Sequence, residues 1–250
     1  MSASAQPQAP EPQPLSEGAR LLNTYIDPPR TFNDLRRKAT WFVPWLLIAL
    51  FGYGFIGAAA QKIGFAQLSQ NEMHANPKQA ERIDAMPADQ RQKALEVSAT
   101  ITKVFAFASP FIFLLIAVII AAVLMGTFNF ALGAELKFGA ALAVVMYAYL
   151  PSLVKSVLAI ASIYAGASPE GFLMRNPVAS NLGALVDITQ HPVLFAAGTW
   201  VDIFSIWIVV LMGIGFACVA RVKRASALGV VFGWYILIAL ISTGFAALFA

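Results

Sequence analysis

A chain of 250 residues that is 59% hydrophobic and only 12% charged is not a water-soluble globule. Soluble domains carry about twice that charged share, and the charges here are too few to cover the apolar surface. The mean hydropathy of +0.71, with several apolar runs near or above the roughly 20 residues that cross a bilayer as helix, indicates an integral membrane protein. The net charge of +4 and the pI near 9.3 do not point to nucleic acid, because the basic residues lie beside apolar runs, where membrane orientation places them. The single cysteine, Cys218, excludes an intramolecular disulfide.

Residues 1–14 are small, polar and proline-rich, which buries too little apolar surface to offset ordering entropy, so a disordered tail is expected. The segment is not read as a secretory signal. The first long apolar run begins only after about 40 residues, beyond the 15–30-residue window of such signals. Residues 15–40 form a juxtamembrane segment. Leu21, Leu22, Tyr25 and Ile26 suggest a short amphipathic turn, broken by Pro28 and Pro29. Phe32 and Leu35 follow at i, i+3 beside Arg36, Arg37 and Lys38. This predicts a short helix on the membrane surface, apolar side down, with its basic groups at anionic headgroups. The plainer alternative is an ordinary orientation signal.

The first span is expected at 41–60, with Trp41 and Trp45 in the interfacial aromatic belt and Gly52, Gly54 and Gly57 as a weak helix-packing signal. A polar insertion, 61–102, is punctuated by Pro77 and Pro87 and predicts two short helices over the membrane, the second running into the next span. The second span is 104–132, with Pro110 inside it and Asn129 at the interface. A tight surface turn, GAELKF, carries Glu135 and Lys137. It feeds a third span, 137–164, interrupted by Pro151 and containing Tyr147, Tyr149 and Lys155. The loop 166–192 is rich in turn formers, with one helical turn expected at 181–186 behind Asn181. The fourth span, 193–220, carries Asp202 and ends at a basic RVKR. The fifth, 226–250, closes the chain. The fold class is therefore an all-α polytopic bundle of five transmembrane helices plus short amphipathic helices.

Basic residues near span ends favour a cytoplasmic N-terminus and an extracytoplasmic C-terminus. Charges within spans are functional pointers, and two stand out. Lys155 lies 18 residues beyond Lys137, and Asp202 lies 19 before Arg221. At 1.5 Å per residue both are about 27–28 Å from the same surface. A Lys155–Asp202 pair is possible if the third and fourth helices touch. The alternative is a snorkelling lysine and a wetted aspartate near a helix start. The Tyr147 and Tyr149 hydroxyls need partners if buried.

No zinc-protease motif, phosphate-binding glycine loop or Ser–His–Asp set can be assembled, and His74 and His191 are read as isolated surface residues. No catalytic residue, cofactor or metal is implied. The segments TFNDLRRKATW, GAELKFGAALAVVMYAYLP, RNPVASNLGALV and DIFSIWIVVLMGIGFA together resemble the Yip domain family, in particular its bacterial members, over 31–250. The resemblance implies a multi-pass helical domain of the bacterial cytoplasmic membrane with a cytoplasmic N-terminus. It directs attention to Glu135, Lys137, Tyr147, Pro151, Asn181 and Asp202 in structural or binding roles. Two functions compete. One is a non-enzymatic scaffold or adaptor binding lipids, other membrane proteins or itself. The other is a small-molecule or ion transporter or channel acting as an oligomer, in which Lys155, Asp202, Tyr147 and Asn181 line one wet cavity.

Overall fold

The turn after residue 132 is built by helix-end chemistry. Gly133 takes a left-handed φ of 65°, which lets the Ala134 N–H reach the Phe128 carbonyl at 3.1 Å, a glycine termination open to few other residues. Asn129 then clamps the turn from both sides. Its Nδ2 donates to the Leu136 carbonyl at 3.1 Å, and its Oδ1 accepts from the Leu136 N–H at 2.8 Å. Read from sequence as an interfacial residue, Asn129 also orients the two helices that meet here.

The computed structural model describes residues 13–249, so the tail expected at 1–14 lies almost wholly outside the described residues. The helices are Glu17–Ile26 (α1), Pro28–Leu35 (α2), Phe42–Lys62 (α3), Phe65–His74 (α4), Pro77–Asp84 (α5), Ala88–Leu132 (α6), Phe138–Ala148 (α7), Pro151–Tyr164 (α8), Pro192–Trp200 (α9), Ile203–Ala220 (α10) and Arg224–Phe249 (α11). A 3-10 turn occupies Leu182–Leu185, where one helical turn is expected. Five helical segments are long and apolar enough to cross a membrane: α3, α6, α7 with α8, α10, and α11. Among the described residues there is no strand, only an isolated antiparallel bridge between Asn181 and Asp202. The fold is all-α, as the sequence predicts.

Two apolar runs are broken. Pro151 ends α7 and starts α8, and the Leu150 carbonyl at the break accepts the Tyr25 hydroxyl at 2.7 Å. The run read as one span, 193–220, is two helices, α9 and α10. It breaks at Val201 and Asp202, which leave helical geometry to run beside the 180–182 segment. Helix α6 is a single element of 45 residues around Pro110. Proline within such a helix is tolerated where neighbours bond the nearby carbonyls: Trp45 Nε1 donates to Pro110 O at 3.1 Å, and the Tyr53 hydroxyl to Phe107 O at 3.0 Å. The polar insertion docks rather than floats. Ser69 Oγ bonds Ser98 Oγ at 2.7 Å, and Asn71 Nδ2 donates to the Pro169 and Phe172 carbonyls at 2.7 and 3.0 Å.

One of the two N-terminal helices departs from the arrangement read from the sequence, since the apolar side of α2 meets the bundle core. Helix α1 turns its polar residues Arg20, Asn23 and Thr24 inward and leaves Leu22 and Ile26 exposed. Helix α2 does the reverse, with Phe32 and Leu35 fully buried in the core beside Val144, Tyr147 and Phe216. The reason is Gly215, whose missing side chain admits the Phe32 ring. A Cβ there would lie 2.6 Å from Val144 Cγ1 and 2.9 Å from Phe32 Cδ1 and Cε1. Gly215→Val is expected to expel Phe32 and destabilise by about 1–3 kcal/mol, read as equilibrium unfolding in mixed micelles. Gly52→Ala, with no atom within 4 Å of the new Cβ, is expected to leave stability unchanged or slightly raised. Close approach thus falls on Gly183, Gly198, Gly213 and Gly215, not on the first-span glycines that the sequence singles out.

Candidate functional site: two buried polar clusters and a basic groove

The first cluster forms at the α9–α10 break. Asp202 is the N-cap of α10: its Oδ1 accepts from the Phe204 N–H at 2.9 Å and from Ser180 Oγ at 3.2 Å. A carboxylate there is favoured by the helix dipole. Its other oxygen, Oδ2, pairs with Lys155 Nζ from α8. Asp202 is buried and Lys155 is partly buried, so neither is the freely wetted residue of the alternative reading, although Asp202 does sit at a helix start. Asn181 adjoins the pair through the backbone bridge, with Leu182 N–H to Val201 O at 3.3 Å and Ile203 N–H to Ser180 O at 3.2 Å. Its side chain is turned to other work. It caps the 3-10 turn at Ala184 N and donates to Asn176 Oδ1 at 2.6 Å.

The second cluster joins the N-terminal hairpin to the third span. Arg20, 2% exposed, donates through Nε to Asp34 Oδ2 at 2.7 Å and through Nη1 to Glu17 Oε1 at 2.9 Å and Thr40 Oγ1 at 2.7 Å. Thr40 in turn donates to Glu17 Oε1 at 2.7 Å, and the Tyr147 hydroxyl donates to Glu17 Oε2 at 2.6 Å. Tyr147 therefore serves the α1–α7 contact and is not part of the Lys155–Asp202 cluster. Sequence reasoning passed over Glu17, Arg20 and Asp34. The signal within reach was Arg20 three residues after Glu17 on a helix whose apolar side is the opposite one.

The network has a pH signature. Burial works against the Glu17 charge, but the hydrogen bonds from Tyr147 and Thr40 and the Arg20 guanidinium outweigh it and hold the carboxyl below its usual value of 4.5. The folded pKa is depressed. The stabilisation is therefore fully present above the ordinary carboxylate value and is lost as pH falls through the folded one. Unfolding midpoints are expected to fall on acidification below about pH 4.5, and Glu17→Gln is expected to flatten that slope.

The remaining sequence-marked residues, Glu135 and Lys137, lie elsewhere. Both are exposed and line a groove of about 1300 Å³ together with Arg30, Arg36, Arg37 and Arg221. A second, apolar cavity of about 490 Å³ lies among α6, α10 and α11 beside Tyr149 and Trp234. Neither is lined by Lys155, Asp202, Tyr147 or Asn181.

No curated protein and no solved structure matches the chain. The Yip1 domain family model matches residues 22–246, from within α1 to near the end of α11. It takes in both helix breaks, the cations of the basic groove and the Lys155–Asp202 pair, and leaves only Glu17 and Arg20 of the second cluster before its first matched residue. With nearly the whole described chain covered, the protein belongs to the Yip1 domain family.

Proposed function

We propose that the protein is a non-enzymatic membrane scaffold or adaptor, binding lipids and other membrane proteins through its helix surfaces. The observation that carries this reading is how the polar groups of the bundle are used. Lys155 is spent on Asp202, Tyr147 on Glu17, and Asn181 on a loop turn. The groups a transport path would need are thus divided between separate clusters and engaged in holding helices together. Helices α6 and α11, with 22% and 11% of their apolar windows buried, leave the broadest faces for lipid or partners. The basic residues beside the α6–α7 turn and after α10 support a cytoplasmic position for that end. A bacterial cytoplasmic membrane fits the resemblance of the sequence segments.

The test is photo-crosslinking in native membranes from positions on α11, such as Leu237 and Ile241, combined with solute flux in proteoliposomes. The scaffold reading expects discrete adducts with membrane proteins and flux no greater than in empty vesicles. Flux above background that Lys155→Met abolishes would instead support the oligomeric transporter.

A further inference from the structure

We propose that the basic groove is a binding site for the phosphate headgroup of an anionic glycerophospholipid. Three segments far apart in sequence build it: α2 and the residues after it, the α6–α7 turn, and the end of α10. Among the described residues they bring the exposed Arg30, Arg36, Lys137 and Arg221 against two carboxylates, Asp34 and Glu135. Asp34 is already engaged by Arg20 and by the Leu15 N–H at 3.3 Å, so among the described lining residues Glu135 is the carboxylate left to oppose Arg30, Arg36, Lys137 and Arg221. Among the described residues, Arg30, Lys137 and Arg221 form no ion pair.

Two backbone features converge on the same groove. Helix α7 opens at Lys137 without a side-chain cap, so the positive end of its dipole lies at this region. Arg221 ends α10 with φ 55°, and among the described residues it is the only non-glycine at positive φ. This is the left-handed termination common at helix ends, and it sets Arg221 at the end of α10 on the groove.

The groove's position selects a lipid over a soluble anion. Leu136, Ala140, Val219 and Ala220 line it beside the cations, at the ends of helices able to cross a membrane. An acyl-glycerol body is thereby placed against apolar side chains and its phosphate against the arginines, for which a bidentate phosphate contact is well suited. The inference deepens the scaffold reading by naming a lipid class among its ligands.

The test is native mass spectrometry and thermal unfolding of the full chain in neutral detergent, with phosphatidylglycerol, phosphatidylcholine or inorganic phosphate added. Phosphatidylglycerol is expected to be retained and to raise the unfolding temperature, while phosphatidylcholine and millimolar inorganic phosphate do neither. Arg221→Gly, which suits the left-handed backbone, is expected to retain at least fivefold less phosphatidylglycerol at undiminished thermal stability without lipid. Lys137→Gln is expected to do the same. Lys223→Gln and Arg224→Gln, at the same end but outside the groove lining, are expected to retain parental amounts. Equal losses across all four variants would reduce the groove to a diffuse positive field and overturn the proposal, as would inorganic phosphate substituting for the lipid. Lipid loss with the α11 crosslinks intact would sink the scaffold's dependence on this lipid and leave partner binding standing. The converse would leave the lipid site without the scaffold.

Discussion

Asp34→Ala is expected to destabilise the protein by about 1–3 kcal/mol, the cost of leaving buried guanidinium donors unsatisfied. Arg20 is almost wholly enclosed and meets Asp34 through both Nε and Nη2 at 2.7 Å. Glu17 and Thr40 remain, but they bond a different nitrogen. The double variant Arg20→Met/Asp34→Leu is expected to lie closer to the parent than Asp34→Ala alone, because an apolar pair removes the unsatisfied donors along with the bridge. Equilibrium unfolding in mixed micelles measures both. An Asp34→Ala protein that unfolds with the parental midpoint would mean that Arg20 reaches water, which its burial forbids.

The second large effect is expected at the Lys155–Asp202 pair, where substitutions separate charge from capping. Asp202→Asn keeps an oxygen that can cap α10 and removes only the charge. Asp202→Ala removes both, and Lys155→Met leaves the carboxylate with Phe204 N–H and Ser180 Oγ. Destabilisation should therefore rank Asp202→Ala above Asp202→Asn above Lys155→Met. A double-mutant cycle on Lys155→Met and Asp202→Asn should give a coupling of about 1–2 kcal/mol, as for other residues in contact. Strict additivity would show that the contact contributes nothing to holding α8 against α10, and its role would then have to be sought in binding.

This pair marks how far the sequence could be read. Counting residues from Lys137 and from Arg221 set the two charges at one height because each count ran along mostly helical chain. The count could not show that the helices touch. It also missed that the fourth run breaks at Asp202, since the Val201–Asp202 break carries neither proline nor glycine and depends on the 180–182 segment packing alongside. The five long apolar helical segments, the turn at Gly133 and the Pro151 break were legible because hydropathy, glycine and proline are local signals. The N-terminal hairpin was not. The partner of Phe32 is the space over Gly215, and that of Glu17 is Tyr147; neither pairing leaves a trace in periodicity. A helix with polar residues turned inward and leucine outward looks from sequence like one lying on a surface.

The second cluster also bears on the order in which the chain can assemble as it is made. Arg20 meets Asp34 and Thr40 over separations of 14 and 20 residues, and Glu17 meets Thr40 over 23, whereas Glu17–Tyr147 and Tyr25–Leu150 span 130 and 125. The charges of the hairpin can neutralise one another as soon as the chain through Thr40 has left the ribosome, well before the helices that will enclose them exist. Local contacts form without the loop-closure cost of distant ones. The hairpin can therefore wait as a preassembled, internally compensated unit and dock when α7 and α10 arrive. Severing Arg20 from Asp34 would then delay assembly, whereas severing Tyr147 from Glu17 would loosen only the finished bundle.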